Sequence, residues 1–401
     1  MNSRPSSAPT PAPGSLLALL REQTVGVARK PSAESAGLRL LPDGPWGSIG
    51  FHHIYLEASD YVASRFSIPS TTTRWSFEGA TMARLQSFFE AAGIDRQRAA
   101  GWLQPPRVVA ENHVLHVLPP SEHVEALSPP QRAIIYKELE KSGRNEFHCD
   151  PLYIHGGSAE EFLRATDVAP EHKSWFARMC YTRGKTLCFS DFPALLARAR
   201  SDAEAVRLFK LATRTRAVIA RLRLGAGTDV AQLVKYWSDD HRNKDLLSML
   251  LSLIGNGPSD GIDLLHILPP TARKLMNTYP SETLLMHGRM PDCHWSSLNF
   301  FNHEPREYFL NSRLAAYHVI ERYEKVAAPY RYGDVLVFSQ PNGDAHHSCV
   351  YLAGDLVFTK NGENAATPWI MTQLRDLQSV YVEGKGSSIV AYRLRAEPVR
   401  R

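Results

Sequence analysis

Residues 332–362 constrain the fold of this chain more than any other stretch. Three runs rich in β-branched and aromatic residues, "YGDVLVFSQ" (332–340), "HSCVYL" (347–352) and "DLVFTKNG" (355–362), are interrupted by the turn residues Pro341-Asn342-Gly343-Asp344 and Ala353-Gly354-Asp355. Runs of that composition bounded by Gly, Pro, Asn and Asp read as strands. Connections so short join antiparallel neighbours, because a parallel return needs a crossover of about a dozen residues or more. The segment is therefore an antiparallel meander, and "SSIVAYRLR" (387–395) supplies a last strand.

Ahead of it the texture is helical. "ATMARLQSFFEAAGI" (80–94) sets Met82, Leu85, Phe88 and Phe89 at helical spacing. "PPQRAIIYKELEKSG" (129–143) opens on Pro, where a missing N–H costs nothing, and ends on Gly. "SDFPALLARARSDAEAVRLFKLATRTRAVIARLRLG" (190–225) reads as one long helix or two in series, and "VAQLVKYW" and "NKDLLSMLLSLIGNG" carry the theme to Gly257. "LHVLPP" (115–120) and "LHILPP" (265–270) each precede a Pro-started helix, which suggests a shared helix–turn–helix plan. Two copies are too few for a solenoid, so the echo is read as a packing motif. The expected architecture is α+β. It comprises a disordered Pro/Ser/Ala-rich tail over 1–14, a mostly α-helical region over 15–260, and a domain over 261–401 in which a cysteine-led helix packs on the small antiparallel sheet.

Composition narrows the function classes. A chain of 401 residues exceeds one ordinary core, and 43% hydrophobic with 22% charged residues is the balance of a soluble globular protein. The surplus of 46 basic over 41 acidic residues, +5, is weak ground for a nucleic-acid partner. Arg198, Arg200, Arg207, Lys210, Arg214, Arg216, Arg221 and Arg223 do crowd one stretch, either as a surface for an anionic polymer or as a solvated face. No run approaches the ~20 apolar residues that cross a bilayer. The apolar run Leu16-Leu17-Ala18-Leu19-Leu20 stops at Arg21, short of a secretory leader, so a cytoplasmic location is the default and a non-standard export route stays open. Five cysteines, an odd number without a CxxC pair, point to reduced thiols rather than a disulfide scaffold. The sixteen histidines include no HExxH spacing, so neither a metal nor a cofactor is expected.

The chemistry centres on "MPDCHWSSLNFFN" (290–302). Asp292 is a good N-cap, which makes Cys293 the first helical residue, with Trp295, Leu298 and Phe301 or Asn302 on successive turns. Only the thiolate attacks, and both a helix N-terminus and a neighbouring histidine favour it. His347 heads a strand whose alternation sets His347, Cys349 and Tyr351 on one face and Ser348, Val350 and Leu352 on the other. His346 lies one residue off, and a slip of register would exchange the two. On the next strand Val357, Thr359 and Asn361 share a face, so a group that orients the imidazole is sought there. Against this stand plainer readings: Cys293 as one more buried thiol, and Asn361 as a turn residue of "KNG". Cys349 is a rival thiol without helix-terminal activation, and the residues of "HCDP" (148–151) point apart on an extended segment.

The order "DC" opening a helix, then "GDVLVF", then "HSCVYLAGDLVF", resembles the NlpC-like cysteine peptidases of the papain-like superfamily over about residues 285–395. Those proteins mostly cleave peptides containing D-amino acids in bacterial cell walls, or act as amidases. The resemblance implies Cys293 as nucleophile and His347 as general base. The family's third polar residue falls in register on Thr359, while Asn361, two residues on, is the better orienter by chemistry. It also implies a peptide or peptidoglycan-type substrate and a thioester intermediate. Where the family carries small residues after its cysteine, this chain has His294 and Trp295, which keeps open a second expectation, an inactive papain-like scaffold or regulatory binding protein.

Overall fold

The structure is a computed structural model, and it describes residues 38–65, 72–225, 227–238, 246–255, 261–281, 284 and 290–395. The tail expected over 1–14 and the apolar run before Arg21 lie outside the described residues.

Strand β1 (Arg39–Leu40) pairs with β2 (Ile49–Leu56), and two small sheets follow. The first holds β3 (Trp75–Glu78), β4 (Val108–Glu111) and β5 (Val114–Val117) in the order β3-β5-β4. Its hairpin turns on Asn112 and His113, at φ 48° and 63°, the paired positive values of a tight two-residue turn. The second holds β6 (Leu152–Ile154), β7 (Tyr181–Arg183) and β8 (Thr186–Phe189) in the order β6-β8-β7. The chain then returns as β9 (Thr215–Leu222), antiparallel to β2 along its whole length, with β10 (Ile262–Asp263) on the far edge.

The region expected to be mostly helical thus interleaves its helices with strands. The helices at Met82–Ala91 and Pro129–Leu139 stand as expected, the first capped by Thr81, the second closed by a Ser128–Gln131 capping box. The stretch 190–225 departs from expectation. It forms two helices, Phe192–Leu196 and Asp202–Ala212, and then β9. Beyond Thr213 the apolar period changes from helical to two: Val218, Ala220, Leu222 and Leu224 are buried, while Ile219, Arg221 and Arg223 are exposed. The basic cluster is dispersed by the same change. Arg198 faces Glu125, Arg200 Glu171, Lys210 Asp60 and Arg214 Glu57, so no single cationic face forms. The two "LH(V/I)LPP" copies share only the helix after the prolines, since one lies on β5 and the other on a 3₁₀ turn, Leu264–Ile267.

The C-terminal sheet has six strands, β11 (Tyr323–Val326), β12 (Val335–Ser339), β13 (Ala345–Ala353), β14 (Leu356–Lys360), β15 (Trp369–Gln373) and β16 (Ser388–Leu394). Their order is β11-β16-β12-β13-β14-β15, all antiparallel, so the expected meander β12-β13-β14 stands at its centre. The "GD" ahead of β12 is structural. Asp334 takes two bonds of 2.7 Å from Arg393 on β16 and one of 2.7 Å from the Arg331 N–H, locking the turn to the sheet.

The described residues from Arg39 to Arg395 form one compact unit. One apolar core joins Phe51, Leu222 and Trp237 to Leu298, Leu352, Phe358 and Trp369, while a second fills the region around Trp75, Phe89, Tyr136 and Phe176.

Candidate active site

The helix Cys293–Leu298 starts where Asp292 caps it, accepting from the Trp295 N–H at 2.7 Å. Two serines fix it on the sheet: Ser297 receives the Ser348 hydroxyl of β13 at 3.1 Å, and Ser296 receives the Trp369 indole N–H of β15 at 2.8 Å. Cys293 is therefore held rigidly, 5% exposed, at the lip of a cavity of about 980 Å³. His294 and Trp295, the bulky residues after it, do not line that cavity; Trp295 turns into the core toward Trp369, ring centroids 6.2 Å apart.

His347 lines the same cavity and is buried. Its Nε2 lies 3.1 Å from Thr359 Oγ1, and the Thr359 hydroxyl donates to the Ser348 carbonyl at 3.1 Å. A hydroxyl has one proton. Assigning the Thr359 proton to the Ser348 carbonyl, which can only accept, makes Thr359 an acceptor toward His347 and so assigns the ring proton to Nε2, with Nδ1 the basic nitrogen. Tyr381, on the irregular helix Ser379–Gly384, stacks on the imidazole with centroids 4.3 Å apart and planes 7° apart. Burial pushes the Tyr381 hydroxyl well up from its ordinary value, and Cys293 adds to the effect.

Of the two candidate orienters, it is Thr359 that lies within hydrogen-bond distance of His347. Asn361 instead lines the cavity with its Oδ1 buried and without a hydrogen-bond partner. The alternation of β13 is also broken. Phe338 pairs with His347 but Ser339 with Ala345, so His346 is the extra residue of a bulge. Both His346 and His347 consequently line the cavity, though His346 is only half-buried and rests its Nδ1 against Gln340 at 3.2 Å. Cys349 is enclosed, and burial holds its thiol well above the ordinary value, which removes it as a rival. The "HCDP" cluster scatters: His148 enters the core against Tyr136, Cys149 bonds backbone carbonyls, and Asp150 reaches the cavity, paired with Lys385 at 3.2 Å.

Two residues escaped the sequence reading. Lys360, the last of β14, is fully buried, and its ammonium donates to Gly362 O at 2.7 Å, Asn364 O at 2.9 Å and Thr367 Oγ1 at 2.9 Å. Burial pulls its pKa down to about 8, against the opposing pull of Cys293 and Asp292. The signal was present in "LVFTK", where Lys360 follows Leu356 and Phe358 on the inward face. Tyr381 had no such signal.

Asp292, Cys293 and His294 bring one oxygen, one sulfur and one nitrogen within 4.8 Å of one another, the one such group among the described residues. The Asp292 carboxylate already serves as the helix cap. No helix among the described residues is long and apolar enough to cross a membrane. No protein-family model, no curated protein and no solved structure matches this chain.

Proposed function

We propose that the chain is a thiol hydrolase that opens an amide bond through Cys293 and His347. The observation that carries this reading is that the helix-leading Cys293 and the Thr359-bonded His347 line one cavity. Thr359 fixes the Nε2–H tautomer, so the nitrogen left to accept a proton belongs to a buried ring on the same cavity as the helix-leading thiol. Cys293 attacks the amide carbonyl and His347 takes the thiol proton. The oxyanion is met by the N–H groups at the helix start, which have no acceptor within the helix. The C–N bond breaks as His347 returns the proton to the leaving amine, giving a thioester on Cys293. Water, deprotonated by the same imidazole, releases the acid. Peptides and peptidoglycan-type fragments are the amides to screen first. The exclusion of His294 and Trp295 from the cavity answers the strongest objection to an active site.

The four other thiols make internal controls for the test. Burial pushes Cys180 and Cys188 up to about 12 and raises Cys149 and Cys349. Iodoacetamide labelling mapped to each cysteine should find Cys293 the fastest near neutral pH, slowed in His347→Ala. Cys293→Ala should bring amide hydrolysis to background. Labelling of Cys293 no faster than Cys149, and indifferent to His347, would sink the hydrolase reading and favour a binding protein built on a retired site.

A further inference from the structure

Strand β9 contributes Arg216 to the cavity lining, only 8% exposed. Burying a cation is costly unless an anion compensates it. Among the described residues no carboxylate ion-pairs with Arg216, and its Nε is buried without a hydrogen-bond partner. Its one bond runs from Nη2 to His53 Nε2, at 2.7 Å.

That bond is itself contested. His53 Nε2 also lies 2.8 Å from Gln373 Oε1. The Gln373 amide cannot be turned round, because its Nε2 donates to Asp355 at 3.0 Å and its Oε1 accepts from Arg375 at 2.8 Å. A guanidinium only donates and an amide oxygen only accepts. A single ring nitrogen carries either a lone pair or a proton, so it can satisfy Arg216 or Gln373 but not both. An anion on Arg216 resolves the conflict. The guanidinium turns to it, and His53 donates to Gln373.

We infer that Arg216 binds a carboxylate of the substrate, so that the cleft takes amides carrying a free carboxylate on the part that lies against β9. This rests on the hydrolase reading for its chemistry but not for its binding. A single negative charge fits better than a phosphate dianion, since Asp376 shares the cavity and Glu161 Oε2 lies beside Gly156 together with the Arg216 guanidinium. The neighbouring wall is apolar, with Phe147 stacked on Phe192 at 5.1 Å and Phe209 beside them. An aromatic N-acyl amino acid therefore serves as the probe.

The test is a calorimetric titration of the full chain carrying Cys293→Ala, so that nothing turns over. N-acetyl-phenylalanine should bind about tenfold or more tightly than its primary amide, the effect of one charge-assisted pair. Arg216→Gln in that background should abolish the preference, and Arg216→Lys, which keeps the charge without the fork, should retain part of it. Phenyl phosphate should bind no better than the acid. Equal binding of acid and amide, binding of neither, or tighter binding of phenyl phosphate overturns the inference, and none of these comparisons requires a variant at Arg216 to fold. An acid preference in a protein whose wild type hydrolyses no amide would leave the carboxylate site standing and remove the hydrolase reading alone.

Discussion

Arg132 and Arg216 are both buried, and they are partnered in opposite ways. Arg132 reaches Asp191 Oδ2 at 3.0 Å, the Tyr136 hydroxyl at 2.8 Å and the Val124 carbonyl at 3.0 Å, and Tyr136 in turn donates to Asp191. Arg216 has a contested histidine and no ion-paired carboxylate among the described residues; the Nε of each arginine is without a partner, so the difference lies in the carboxylate. The first node packs against Tyr136 in the core and does not line the cavity; the second lines it. A buried charge closed on its own carboxylate contributes to the fold. One left open beside a cavity is there for something that arrives.

That contrast breaks most readily at Arg132. Arg132→Met leaves Asp191 enclosed with no counter-charge and should cost about 3–5 kcal/mol in a denaturant titration. Pairing it with Asp191→Leu should recover much of the loss. Arg216→Met removes a cation that no carboxylate ion-pairs among the described residues and frees His53 for Gln373, so its effect on stability should stay within about 1 kcal/mol in either direction. Comparable losses at the two sites would erase the distinction.

Lys360 is the intermediate case, a buried cation held by three oxygens but by no carboxylate. Its pKa in the folded chain is about 8, below the ordinary 10.5. Between those values the unfolded chain keeps a proton that the folded chain has lost, so stability rises with pH across that window. The cost is present in full below about pH 8 and gone above about 10.5. At about 1.4 kcal/mol per unit, the rise amounts to roughly 3 kcal/mol at most. Other groups titrate there too, so the readout is the difference between wild type and Lys360→Met, which should grow more favourable to wild type as pH rises. A flat difference would mean that the ammonium is not desolvated in solution.

The two walls of the cavity were unequally legible in the sequence. The sheet wall announced itself through period-two runs, turn residues and an Asp before a cysteine, all of them local signals. The strands β12 to β14 and the cap at Asp292 follow from residues a few positions apart. The lining that carries Arg216 depends on pairing Ile49–Leu56 with Thr215–Leu222, distant segments whose partnership no local pattern encodes. Arg216 looked like one of eight basic residues on a helix because the change of period after Thr213 is short and the arginines mask it. The bulge at His346 was equally hidden, since alternation assumes an unbroken ladder, and so was Tyr381, which meets His347 only through tertiary packing.

The smallest expected effect tests the finest detail of the sheet wall. Asn361 has the better chemistry for orienting an imidazole, yet Thr359 holds the position, and its value lies in having one proton already committed to Ser348. Thr359→Val keeps the shape and removes both bonds. His347 then loses the acceptor that fixes its tautomer, and the basic nitrogen is no longer assigned to Nδ1. Amide hydrolysis should fall by about tenfold, in line with about 1 kcal/mol for one such bond, and nitrogen chemical shifts of the ring should report a mixture of tautomers. Thr359→Ser, which retains the hydroxyl, should restore both. If Thr359→Val keeps a single Nε2–H form and its full rate, the stacked Tyr381 ring is sufficient to orient His347, and Tyr381→Leu becomes the substitution that loosens it.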